Sequence, residues 1–181
     1  MKKTKLLSLL LVLVMVVSLL PASVLAADSA YDPIFDLKNN YMGEYTVTVG
    51  GKTYVYDAWQ AKYCDTPYVD TWENAEDFYK LNVKVVKSVD GKAVQLDTAS
   101  APILFYNPWG GDNGSAVRDP GSSASVALTW EAMEQGYVIV EPGMRGNNCY
   151  SGTIGEADYY DYGKLPGPLA DLKAAIRYLR Y

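Results

Sequence analysis

Two short apolar runs in the second half of the chain constrain its fold most. Ile103-Leu104-Phe105-Tyr106 and Tyr137-Val138-Ile139-Val140 lack the alternation of a half-exposed strand, so each reads as a strand buried on both faces of a sheet. Between them, Ser122 to Gln135 carries Val126, Leu128, Trp130 and Met133, with Gly136 just beyond. That is the pattern of a helix stopped by a glycine. Strand, helix and strand in this order predict a parallel pair joined by a crossover. A long polar loop, Glu141 to Lys164, then leads to Pro166-Gly167-Pro168. A second helix is expected from Leu169 to Tyr181, with Leu169, Leu172, Ile176 and Leu179 at helical spacing and Arg177 and Arg180 near its end. No further strand pattern follows it, so the parallel pair is expected to keep an edge able to pair with another chain.

Residues 27–100 have a different, β-rich texture. Tyr45 to Val49 alternates, Gly50-Gly51 supplies a tight turn, and Thr53 to Tyr56 resumes the alternation, which predicts a hairpin. Leu81 to Val86 is a third strand, with Asp90-Gly91 marking the turn after it. Glu73 to Tyr79 reads as a short helix or a loop. The whole is an α/β chain, with a β-rich part at 27–100 and a β-α-β-α part at 101–181.

The first 26 residues stand apart. Lys2, Lys3 and Lys5 precede an apolar run from Leu6 to Leu20, and Val24-Leu25-Ala26 places small residues before Ala27. This is the pattern of a secretory signal cleaved between Ala26 and Ala27, and the apolar run is shorter than the roughly 20 residues that span a bilayer. A secreted, extracellular protein is expected, with no membrane attachment after cleavage. In that oxidising setting one disulfide between Cys64 and Cys149 and two separate thiols are both compatible with the sequence.

Composition then removes whole classes of chemistry. The 181 residues contain no histidine, two cysteines, 16 basic and 21 acidic side chains, for a net charge of −5. Ser-His-Asp and Cys-His catalysis cannot be assembled from them. No four-cysteine metal site is available, and the acidic balance gives no general case for a nucleic-acid partner. Asp112-Asn113-Gly114 begins like a calcium loop but lacks the later ligands, so neither a metal nor a cofactor is expected.

Three segments together resemble a known family. Ala101 to Gly111 is similar to the third strand and oxyanion loop of an α/β-hydrolase, and Gly136 to Asn148 to its fourth strand and the loop beyond. Tyr162 to Pro168 with Ala170 to Arg180 resembles the helix before the nucleophile elbow. The likeness runs over about residues 40–181 and is strongest from 101 onward. In particular, these segments resemble the secreted bacterial tannase and feruloyl-esterase-like enzymes.

The resemblance implies a serine esterase acting on small carboxylic esters, phenolic ones such as tannins or feruloyl esters included. In such enzymes a Gly-x-Ser-x-Gly turn presents the nucleophile, an acid and a histidine follow, and backbone N–H groups hold the oxyanion. Ser115, Ser122, Ser123, Ser125 and Ser151 sit in no such turn. The expectation is therefore an N-terminal part of an α/β-hydrolase sheet, truncated before the fifth core strand, with the triad beyond residue 181. As it stands the chain is expected to be inactive.

What remains is an oxyanion loop and a substrate rim. Trp109, Gly110 and Gly111 are the candidate oxyanion N–H donors, against the alternative of an ordinary strand-to-helix turn. Asn107, Arg145, Asn147 and Asn148 lie where α/β folds gather ligand contacts, and either touch substrate or brace a long loop. Asp158 to Tyr162 is an acidic-aromatic cluster that either lines a phenolic or sugar site or packs on the surface. Two other readings compete: a binding module for aromatic or carbohydrate ligands using Trp72 and Trp109, and one half of a split hydrolase whose complementing chain is unknown.

Overall fold

The computed structural model describes residues 38–64, 75–97, 100–107, 113–152, 154–157 and 160–179. The signal segment with Ala26 and Ala27, Trp72, Trp109 to Asp112, Asp158 and Tyr159 lie outside them.

Strand β1 (Tyr41–Val49) and strand β2 (Lys52–Lys62) form the expected hairpin, with Tyr45 opposite Tyr56 and Val49 opposite Lys52. Gly50 and Gly51 both have positive φ, +60° and +80°, which the two-residue turn needs and only glycine adopts without strain. Strand β3 (Lys80–Val89) pairs antiparallel with β2, and a short return strand β4 (Lys92–Ala93) follows the Asp90-Gly91 turn. The uncertain segment before β3 is a 3-10 helix, Ala75–Tyr79.

The second half supplies strand β5 (Ile103–Phe105), helix α1 (Ala127–Glu134), strand β6 (Val138–Pro142) and helix α2 (Gly167–Tyr178). β5 and β6 are parallel, Leu104 against Ile139, and β6 runs antiparallel to β3. The sheet order is β1-β2-β3-β6-β5, with β4 beside β3. The fold is α/β with a mixed sheet. One face packs Tyr54, Tyr56, Val86 and Ile139 against Trp130 and Met133 of α1. The other packs Tyr63, Leu81, Val83 and Val140 against Ala175 and Tyr178 of α2. Burying both faces in this way is what a parallel unit requires.

Five expectations need correction. α1 starts five residues later than Ser122, because the serines there serve the backbone instead: Ser122 Oγ accepts from the Ala124 N–H and the Ser122 N–H donates to Asp119. Of its predicted stripe only Trp130 and Met133 are buried, while Val126 and Leu128 are exposed. Ile103 is 56% exposed, because β5 is the edge strand rather than an interior one. The polar stretch Glu141 to Lys164 is not all loop: it holds the end of β6 and a two-stranded ribbon, β7 (Tyr150–Ser151) with β8 (Tyr160–Asp161).

The largest departure concerns α2. The spacing of Leu169 and Ile176 predicts that they face the sheet, yet both are exposed, and Asp171, Ala175 and Tyr178 are buried instead. The helix is turned by a polar requirement. Asp171 faces inward to meet a buried arginine, which leaves Leu169 and Ile176 outside while Leu172 and Leu179 stay half-buried.

Candidate functional site

The parallel strands end where three loops meet. The segment leaving β5 is tied to β6 by the Tyr106 N–H donating to Val140 at 2.8 Å. Its far end returns to the same strand's exit, where Ser115 and Met144 exchange two backbone hydrogen bonds of 2.9 Å. The glycine-rich loop is thus stapled at both ends to β6 and the residues after it. Gly114, Gly146 and Gly163 stack there without side chains. A Cβ on Gly146 would collide with the Gly114 nitrogen, and one on Gly163 with the Gly146 carbonyl, so only glycine permits this approach.

Asn148 completes the staple. Its side chain accepts from the Gly114 N–H at 2.7 Å and donates to the Gly114 carbonyl at 3.2 Å. Asn147 beside it lies exposed in a turn, and Asn107 is half-buried at the loop's start. Trp109, Gly110 and Gly111 fall between the two staples but outside the described residues.

Arg145 is buried, and it faces a carboxylate within the fold. Nε and Nη2 donate to the two Asp171 oxygens at 2.8 and 2.7 Å, and its backbone N–H donates to the same carboxylate at 3.1 Å. Its guanidinium sits 5.5 Å from the Tyr79 ring centre. Burial alone would lower its pKa, and the hydrogen bonds and charge of Asp171 outweigh that and raise it. Arg145 therefore locks the exit of β6 to α2. Cys149 is buried in the same place, where the Gly146 N–H donates to its sulfur at 3.3 Å. Burial pushes this thiol up to about 11, against the opposing pull of the Gly146 N–H and Arg145. Cys64 is half-buried, and the two cysteines are unbridged thiols rather than a disulfide.

A second buried polar cluster sits at the end of β6. Lys84 Nζ lies 2.8 Å from Glu141 Oε2, an ionic contact with both side chains nearly inaccessible. Ser125 donates to Glu141 Oε1 at 2.7 Å and accepts from Lys84 at 3.2 Å. Lys84 also lies 5.7 and 5.8 Å from the ring centres of Tyr56 and Trp130. Ser125 is thus bound into a buried ion pair. Its hydroxyl donates to the Glu141 carboxylate and accepts from Lys84, so it bridges the pair. The described residues can position a backbone loop at the ends of parallel strands, where α/β sheets bind ligands, but they hold no activated nucleophile.

No protein-family model and no curated protein matches the chain. Solved structures do. A tannin acyl hydrolase in complex with ethyl gallate matches with a TM-score of 0.61 and 30% identity, over 82% of this chain and 31% of that one. The chain resembles the bacterial tannases. A tannase from Lactobacillus plantarum gives 0.62 at 30% identity over 82% and 30%, and the Fusobacterium nucleatum tannase 0.57 at 27% identity over 83% and 30%. The tannase-like chain spans less than a third of the length of these relatives.

Several of the buried polar residues of this region bear no sequence signature. Asp171, Lys84 and Glu141 carried no motif. Lys84 and Asp171 fall between the apolar positions of their stretches, where periodicity directs a polar side chain outward. Gly163 stands in the segment similar to the helix before the nucleophile elbow, and its packing on Gly146 arises only in three dimensions.

Proposed function

We propose that this chain is the N-terminal part of an exported, tannase-like serine esterase that hydrolyses phenolic carboxylic esters. In this reading the loop between Asn107 and Ser115 supplies oxyanion N–H groups, from Trp109, Gly110 or Gly111. The observation that carries the reading is the stapling of that loop. Both of its ends are fixed to β6 and its exit, as a preorganised oxyanion site needs, in a chain similar to tannases. Arg145 and Asn148 are positioning residues here, not substrate contacts, because their polar groups are directed at Asp171 and Gly114.

Nucleophile, acid and histidine are supplied from outside these residues. Ile103, Leu165, Leu169 and Ile176 are exposed aliphatics on the edge strand and around α2. Leaving them in water forgoes about 25 cal/mol for each Å² that a covering segment would bury, which supports the packing of further hydrolase structure on this face, in cis or from a complementing chain.

The test is a chimera in which this chain replaces the matching part of the Lactobacillus plantarum tannase. Ethyl gallate hydrolysis within about tenfold of the parent is expected, since the chemistry resides in the retained part and the loop only assists it. A chimera that folds with the parent's melting behaviour but does not hydrolyse ethyl gallate would sink the proposal. The 181 residues alone should show no turnover above a denatured control.

A further inference from the structure

Asn113-Gly114 is the one Asn-Gly pair in the chain. It lies at the end of the glycine-rich loop, and Asn113 is exposed. Such a pair carries its own chemistry, which makes asparagine a thermolabile residue. The backbone nitrogen of Gly114 attacks the side-chain carbonyl carbon of Asn113, and glycine has no Cβ to obstruct the approach. The new N–C bond closes a cyclic imide, the Gly114 N–H proton passes to the departing amide, and ammonia leaves. Water then opens the imide at either carbonyl, leaving aspartate or isoaspartate in place of Asn113. No other reactant is consumed.

The fold takes hold of the attacking atom. The Gly114 N–H donates to Asn148 Oδ1 at 2.7 Å, and the Gly114 carbonyl accepts from Asn148 Nδ2 at 3.2 Å. Ser115, the next residue, is bridged to Met144 in both directions at 2.9 Å. Packing adds a second restraint, because the space beside the Gly114 Cα is filled by the backbone of Met144 to Gly146. Gly114 therefore cannot swing toward the Asn113 side chain without leaving Asn148 and lifting off Gly146.

We propose that Asn113 is a latent deamidation site gated by the Asn148 clamp. With the clamp closed the Gly114 nitrogen is withheld, and the imide forms only when the loop end opens. Where opening and closing are fast compared with the chemistry, the rate follows the open fraction. The product carries a carboxylate at this position and, as isoaspartate, an additional main-chain carbon next to Gly114. The modified loop end then no longer fits its contacts with Asn148 and Gly146. The inference concerns the loop itself and does not depend on the reaction it serves.

The experiment incubates the full chain in mildly alkaline buffer and follows aspartate and isoaspartate at Asn113 over time by peptide mass mapping. The native wild type should react slowly and the urea-denatured chain fast. Asn148→Ala should raise the native rate about fivefold, the size of an exposed hydrogen-bonding contact. Gating is overturned if the native wild type reacts as fast as the denatured chain, or if folded Asn148→Ala reacts no faster than wild type. A second measurement needs no variant. In wild type at urea concentrations below the unfolding transition, the Asn113 rate should rise in step with amide exchange at Gly114, since one opening governs both. An Asn113 rate that stays flat while Gly114 exchange climbs would also overturn it.

Discussion

Asn148 holds Gly114 by both of its backbone polar groups, accepting from the N–H and donating to the carbonyl. A side chain that satisfies both groups of one residue mimics a strand partner. It extends the two-bond bridge between Ser115 and Met144 by one more pair. The end of the glycine-rich loop is thereby held to the exit of β6.

Asn148→Ala should therefore loosen the loop without unfolding the chain. The bonds are exposed, so the expected loss is about 1 kcal/mol. The informative measurement is amide hydrogen exchange, with Gly114 exchanging faster in the variant and Val83 or Ile139 in the core unchanged. Equal protection at Gly114 would show that the backbone bridge alone holds the loop.

The Arg145–Asp171 pair predicts a larger effect. Removing one partner leaves a buried charge without compensation, which costs roughly 3–5 kcal/mol. Asp171→Asn should lower the urea midpoint accordingly, and Arg145→Lys should also destabilise, because a single ammonium cannot reproduce the two-point contact. If Arg145→Lys unfolded at the wild-type midpoint, the fork geometry would not matter and the bracing role would be lost.

These two residues also explain how far the fold could be read from the chain. The hairpin was legible because alternation and a Gly-Gly turn act over neighbouring residues. Strands β5 and β6 were legible because their runs are uniformly apolar. The facing of α2 was not, since Leu169, Leu172 and Ile176 form a good stripe and only a partner distant in sequence, Arg145, decides that Asp171 goes inside. The site was half legible for the same reason. A glycine-rich loop after a strand can be seen in sequence, whereas the Asn148 clamp and the glycine stack arise only when three loops converge.

Lys84 and Glu141 allow a double-mutant cycle. Lys84→Met alone strands a buried carboxylate and Glu141→Gln alone strands a buried ammonium, so each should cost about 3–5 kcal/mol. The double variant should be more stable than either single one, because no uncompensated charge remains inside. Additive losses, measured by urea unfolding, would mean that the two side chains are not coupled.

Cys149 should be chemically silent in the folded chain. Its thiol is buried and its pKa is pushed up to about 11, so at neutral pH the reactive thiolate is scarce. Under native conditions a thiol reagent such as DTNB should titrate Cys149 only at the rate of unfolding, with full reaction in denaturant. Rapid native modification mapped to Cys149 would contradict the buried environment.

Glu134 gives the acid dependence a site. Its carboxylate takes both contacts of Lys52 Nζ at 2.8 Å and the Tyr54 hydroxyl at 2.6 Å, tying α1 to the hairpin. These hydrogen bonds, Lys52 first and Tyr54 second, hold its pKa below the ordinary value of 4.5 despite the opposing effect of burial. A carboxylate lowered in the folded state contributes stability above its unfolded pKa and loses it as pH falls through the folded one. Glu134→Gln should therefore destabilise the chain at neutral pH and narrow the gap to wild type as the solution is acidified below about pH 4.5. Melting temperatures of the two proteins along an acid series test this directly. Parallel curves would show that Glu134 titrates alike in the folded and unfolded chain, and that its link to Lys52 and Tyr54 carries no stability.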